Sequence, residues 1–232
     1  MAQKAASDNY LRVLLLVYAA WWLVLAIKPL DRSDWLMENL LVFIGLGVLL
    51  ATYKAFPLSR VSYTCIFVFL VFHTLGAHYT YAKVPYQEWL PFLAGGRNQY
   101  DRLVHFLYGF LLAYPIREMF LRIGNVRGFW GYFLPLDLTM STSMLYELIE
   151  WGAAVTVGSD LGAAYLGTQG DIWDAHKDMA LASLGALICM CITFMINRSM
   201  QRDFANEWAE SIRVKRKKPL GEGALRNSDP VC

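Results

Sequence analysis

Six stretches of this chain are each apolar enough, over nearly the right length, to be read as membrane-crossing helices, and no other feature narrows its fold as much. A helix needs about 20 mainly apolar residues to cross the hydrocarbon of a bilayer, and fewer where its ends snorkel. The stretches run roughly from Leu11 to Ile27, Trp35 to Tyr53, Val61 to Tyr81, Leu103 to Phe120, Phe129 to Val157 and Met179 to Ile196. Pro135, near the start of the fifth, predicts either a kink or the point where that helix begins. A chain of 232 residues that is 56% hydrophobic has room for one membrane domain, residues 1–197, and a short tail, residues 198–232. Such a composition argues against a soluble fold. The weakly charged start, with Lys4, Asp8 and Arg12, leads into the first apolar run without a small-x-small cleavage site, which predicts an uncleaved span.

Orientation follows from Lys and Arg, which are retained on the cytoplasmic side. With both termini inside, the cytoplasmic segments hold Lys4, Arg12, Lys54, Arg60, Arg117, Arg122, Arg127 and a basic tail that includes Arg213, Lys215, Arg216, Lys217 and Lys218. The outer loops hold Lys28, Arg32, Lys83, Arg97, Arg102 and Lys177. The imbalance survives without the tail, so the expected architecture is an all-α bundle of about six transmembrane helices, N-in and C-in. Phe204, Trp208 and Ile212 recur every fourth residue, giving the start of the tail one apolar face that could lie on a membrane with the basic run against anionic lipid. The net charge of +2 indicates no nucleic-acid partner. Of the four cysteines, Cys65, Cys189 and Cys191 sit in apolar runs and Cys232 is terminal, which matches neither a disulfide framework nor a CxxC metal pattern.

Ionisable groups are unfavourable in a bilayer and mark function or a buried pair. Here they gather on one side. Asp101 and His105 are four apart at the outer start of the fourth span, so they share a helix face. Glu147 and Glu150 are three apart in the last third of the fifth span, and Asp171, Asp174 and Asp178 lead into the sixth. Each group reaches the outer leaflet through its own span. His73 and His78 could reach the same depth, although His73 alone reads as a packed core histidine, and His176 falls on a different face from Asp174. Asp137 and Arg117 read as a local pair near the inner face.

Neighbouring carboxylates repel one another unless a cation or shared protons compensate. Oxygen ligands with an imidazole suit a divalent metal such as Mg, Mn, Zn or Fe, and a metal-bound water is a nucleophile near neutral pH. In that reading Asp101, His105, Glu147, Asp171 and Asp174 are the candidate ligands, with Glu150 or Asp178 as catalytic base or partner to a ligand. Arg97 and Arg102 are candidates for binding an anionic substrate, and the Gly95-Gly96 turn before Arg97 could form a lid. Two other readings use the same residues. One is an ion-pair network with Arg97, Arg102 and Lys177 that fixes helix packing. The other is a proton or ion path. The Gly158-x-x-x-Gly162 pattern is too common to define a dimer face.

The strings GGRNQYDRLVHF (from Gly95), YPIRE (from Tyr114), YELIEW (from Tyr146) and GTQGDIWDAHKDM (from Gly167) resemble the YjdF-like bacterial inner-membrane proteins. The resemblance runs from about the second span to the end of the sixth and implies a location without a reaction. The order Asp-x-x-x-His, a membrane Glu, then spaced Asp residues before a small-residue helix is distantly similar to VanZ-like membrane proteins, which implies cell-envelope involvement. The expectation is therefore a multi-pass protein of the bacterial inner membrane, with metal-assisted hydrolysis or group transfer on a lipid-linked or envelope substrate as the leading function. The alternatives are a transporter or proton-coupled protein, and a structural or assembly factor.

Overall fold

Residues 2–89, 96–157, 168–200 and 204–215 are described by a computed structural model, with side chains from residue 9 onward. Among them every regular element is helical: α1 (Ala2–Leu25), α2 (Arg32–Thr52), α3 (Arg60–His78), the single turn α4 (Tyr86–Trp89), α5 (Tyr100–Arg122), α6 (Trp130–Val157), α7 (Asp174–Met200) and α8 (Phe204–Ser211). The six long helices overlie the six apolar stretches. Their ends differ where polar residues continue the helix: α5 begins at Tyr100 rather than Leu103, and α7 at Asp174 rather than Met179. Asp101, Asp174 and Asp178 thereby lie inside helices. Pro135 lies within α6, which begins before it at Trp130. By length and composition, α2, α3 and α7 are apolar enough to cross a membrane, while the apolar part of α1 is the shorter Asn9–Leu25. The 19 residues of α3 span about 28 Å, close to the roughly 30 Å of bilayer hydrocarbon.

Large apolar side chains such as Leu16, Leu40, Ile44, Leu148, Val155 and Met195 point outward, while Asn39, Ser62, Thr74, Thr139 and Ser143 are enclosed. That inverts the usual soluble pattern and is the arrangement expected when lipid is the solvent. The centre of the bundle is α5, which packs on α3, α6 and α7; α1 and α2 dock on α3. Local signals set the helix starts. Asp31 accepts the Ser33 and Asp34 N–H groups ahead of α2, and Ser59 accepts the Ser62 N–H ahead of α3.

The start of α6 is capped from far along the chain. Glu207 accepts the Gly128 N–H at 3.0 Å and the Ser211 hydroxyl accepts the Phe129 N–H at 2.9 Å, so a carboxylate sits at the positive end of the helix dipole. Phe204 and Trp208 of α8 pack against Phe194, with Trp208 also on Phe129 and Tyr132. The apolar face read as membrane-seeking is thus largely spent on the protein, and Ile212 alone of the three residues is strongly exposed. Residues Arg216 to Cys232, Gly95 and the Gly158-x-x-x-Gly162 pattern lie outside the described residues.

Candidate functional site

Small residues make the site by letting two backbones touch. A side-chain carbon at Gly109 would overlap the Ala182 carbonyl, and one at Gly185 would overlap the Phe106 carbonyl. The fully buried Ala113, Ala182 and Ala186 continue this seam. Both helices begin at the same end of the bundle and run in parallel. On α5 the seam reads Asp101, His105, Gly109, Ala113, and on α7 Asp174, Asp178, Ala182, Ala186, each at a spacing of four. Followed towards the helix starts, the rungs change from glycine and alanine to ionisable groups. Glu147 of α6 and Glu38 of α2 join them at the same end.

On the α7 side of the first rung, Asp174 and the Asp171 that precedes the helix are held by basic side chains. Arg97 binds Asp174 at 2.5 Å, and Arg102 reaches Asp171 at 2.6 Å and Asp174 at 3.3 Å. Lys177 adds a 2.5 Å contact to Asp171. Lys177, the Trp173 N–H and Arg102 hold the Asp171 carboxyl down at about 2. Arg97 also donates to the Thr168 carbonyl, and the Asn98 backbone exchanges two hydrogen bonds with the Gln169 side chain. The segment that follows Gly96 is therefore laced to the approach of α7. Asp171 and Asp174, expected as metal ligands, meet guanidinium groups here, and Arg97 and Arg102, expected to bind substrate, are engaged by these aspartates.

Across from Asp174 on α5, and one turn further in on α7, the pairing stops. Among the described residues no Arg or Lys forms an ion pair with Asp101, Glu147 or Asp178. Donor atoms of Asp101, His105 and Asp178 lie within 4.8 Å of one another. His105 Nε2 stands 3.6 Å from Asp101 Oδ1 and 3.5 Å from Glu147 Oε1, too far for hydrogen bonds. Donors about 2.1 Å from a tetrahedral ion stand about 3.4 Å apart, so these spacings suit a shared cation better than direct bonds. Asp178 is 2% exposed and Glu147 8%, yet Asp178 Oδ1 and Glu147 Oε1 have no hydrogen-bond partner. A buried polar atom left unmade costs about 1–3 kcal/mol, more when charged. The structure thus groups Asp101, His105 and Asp178, with Glu147 beside His105 and Glu150 buried one turn along α6.

Glu38 was not singled out in the sequence. It is 4% exposed and accepts the Tyr146 hydroxyl at 2.9 Å, which places an acid from α2 at the margin of the cluster. Its signal was available: Asp34 and Glu38 are four apart at the start of a span that begins at the acidic end. His73 bridges the Glu38 carbonyl at 3.2 Å and the Tyr81 hydroxyl at 2.5 Å, as expected of a hydrogen-bonded core histidine. His78 contacts the Leu25 carbonyl, and His176 packs on Trp173. Arg117 lies over the Tyr132 ring at 4.7 Å and forms no ion pair with Asp137 among the described residues, because the aromatic face of α6 meets it first.

A family model described as predicted membrane protein (DUF2238) matches residues 10–199, which contain every candidate site residue. The inner membrane protein YjdF of Escherichia coli (strain K12) is 44% identical over 162 residues, 68% of this chain and 76% of that protein. The resemblance read from the four motifs therefore holds. No solved structure matches the chain.

Proposed function

The chain belongs to the DUF2238 family of membrane proteins, and we propose that it is a six-span, N-in and C-in protein of the bacterial inner membrane that binds a divalent metal at Asp101, His105 and Asp178. Glu147 completes or adjoins the ligand set, and the function is metal-assisted hydrolysis or group transfer on a lipid-linked or envelope substrate at the outer leaflet. The observation that carries this reading is the buried carboxylate cluster whose Asp178 and Glu147 oxygens have no partner beside an imidazole. A divalent ion there supplies Lewis acidity and an activated water. Asp101, His105 and Asp178 would hold the ion, and Glu150, buried one turn along α6 from Glu147, would serve as proton acceptor. Arg97, Arg102 and Lys177 fix the first turn of α7 so that Asp178 stays aimed at the cluster.

The test is metal content. Protein purified in detergent and washed free of loosely bound ions should retain stoichiometric divalent metal, and Asp101→Asn, His105→Ala or Asp178→Asn should lose it with the fold intact. Absence of stoichiometric metal, with melting unchanged in all three variants, would overturn the reading. The hydrogen bonds that join Glu38 to Tyr146 and His73 to Tyr81 favour a second reading, a proton-coupled membrane protein. It predicts that Glu147→Gln abolishes pH-dependent flux in liposomes while the fold survives.

A further inference from the structure

A cavity of about 600 Å³ lies between α2, α3, α5 and α6, and its two ends differ in chemistry. One end carries Asp101 and His105, and the other runs along Leu46 and Leu49 of α2 to Leu112 and Ile116 of α5. From Asp101 to Ile116 is fifteen residues of helix, about 22 Å, against roughly 15 Å for the hydrocarbon of one leaflet. Tyr108 and Thr142 line the middle but satisfy each other at 2.6 Å, so they offer little polarity. The two flanking walls, α2 and α6, are bridged by the Tyr146 to Glu38 hydrogen bond near the acidic end. Along the rest of the wall, Val48 and Leu145 are more than half exposed, as at the rim of an opening towards lipid.

A void of this size does not suit a close-packed interior, and its apolar walls suit water poorly. One lining atom specifies the occupant further. The Ser143 hydroxyl is buried at 2% exposure, lines the cavity and has no hydrogen-bond partner. It lies one turn of α6 from Glu147, about 6 Å along the axis. An amphiphile with an oxyanion at the metal cluster, an ester carbonyl about one turn deeper and a hydrocarbon chain beyond it would satisfy all three zones. Bilayer phospholipids have that sequence of groups.

We propose that the cavity between α2 and α6 admits one acyl chain of a phospholipid, with its ester carbonyl at Ser143 and its phosphate at the Asp101, His105 and Asp178 cluster. The phosphate part rests on the metal reading above; the acyl-chain part stands on the cavity alone. The test uses wild-type protein in phosphatidylethanolamine and phosphatidylglycerol liposomes containing phosphatidylglycerol with a diazirine near the acyl terminus, and maps the label by peptide mass spectrometry.

Label is expected at Leu112 and Ile116. A Cβ at Gly45 meets nothing within 4 Å, so Gly45→Phe grows into the cavity and should abolish this label; Gly45→Leu serves if the larger residue does not fold. Ser143→Ala should reduce it. Label spread equally over the exposed Leu16 and Val24 of α1 and insensitive to Gly45 overturns the proposal, and equal labelling by a headless diazirine alkane overturns its phosphate and ester parts. Manganese binding measured on the same samples separates the two claims. Acyl label without manganese removes the metal reading and leaves the chain site, whereas manganese without acyl label removes the chain site alone.

Discussion

Two groups of carboxylates at one end of the bundle meet opposite fates in this protein. Asp171 and Asp174 are held by Arg97, Arg102 and Lys177 at 2.5 to 3.3 Å, whereas Asp101, Glu147 and Asp178 gather around the His105 imidazole and, among the described residues, form no ion pair with Arg or Lys. Both groups are acidic, and both lie at the end where α5 and α7 begin. The difference is in what reaches them: Arg97 from the segment before α5, Arg102 from the first turn of α5 and Lys177 from the first turn of α7 meet Asp171 and Asp174, and the glycine and alanine seam closes before any long basic side chain can enter. An acidic cluster read as one layer is therefore two, a clamp and a centre.

The largest expected effect falls on the clamp. Arg97→Ala leaves the buried Asp174 with only its longer contact to Arg102, so a loss at the lower end of about 3–5 kcal/mol is expected, read as a lower melting temperature in detergent. By contrast, Asp178→Asn in metal-free protein removes one of several neighbouring negative charges and should leave melting unchanged or raised. Equal destabilisation by the two variants would mean that Asp178 is also held by a basic partner, and the comparison would collapse.

Next in size is the seam. Gly185→Ala pushes a methyl group against the Phe106 carbonyl and should cost about 1–3 kcal/mol by overpacking. Because it separates α5 from α7, it should weaken metal binding in the same sample, and unchanged metal affinity would detach the centre from the seam. Glu38→Gln keeps an acceptor for the Tyr146 hydroxyl, so its cost should not exceed about 0.5–1.5 kcal/mol.

The smallest effect concerns pH. Asp171 is held at about 2, below an unfolded value of about 3.9. Its contribution is thus fully present above the unfolded value and is lost as pH falls through the folded one. The melting difference between wild type and Asp171→Asn should be the same at pH 7 and pH 5 and shrink only below about pH 4. A difference that already shrinks between pH 7 and pH 5 would show that Lys177 and Arg102 do not hold this carboxylate in solution.

Much of the architecture was legible because hydrophobic length is a one-dimensional signal, and the six long helices overlie the six apolar stretches. The convergence of acids at one end was legible for the same reason, since the direction of successive long helices alternates. The division into clamp and centre was not. It depends on which rotamers Arg97 and Arg102 adopt and how closely two backbones approach, and neither has a sequence period. The seam itself was visible in retrospect, as Asp101, His105, Gly109, Ala113 and Asp174, Asp178, Ala182, Ala186 carry the same spacing of four. The docking of α8 also escaped, because an amphipathic face does not say whether lipid or protein covers it. Its Glu207 and Ser211 contacts join residues roughly 80 positions apart.

Manganese binding to purified protein, followed by electron paramagnetic resonance in matched Asp178→Asn and Asp171→Asn variants, tests the division most directly. The two substitutions remove chemically identical carboxylates seven residues apart, Asp171 before α7 and Asp178 within it. Asp178→Asn should abolish stoichiometric binding and Asp171→Asn should leave it intact. Equal loss in both variants, or full binding in both, would contradict a centre distinct from its clamp.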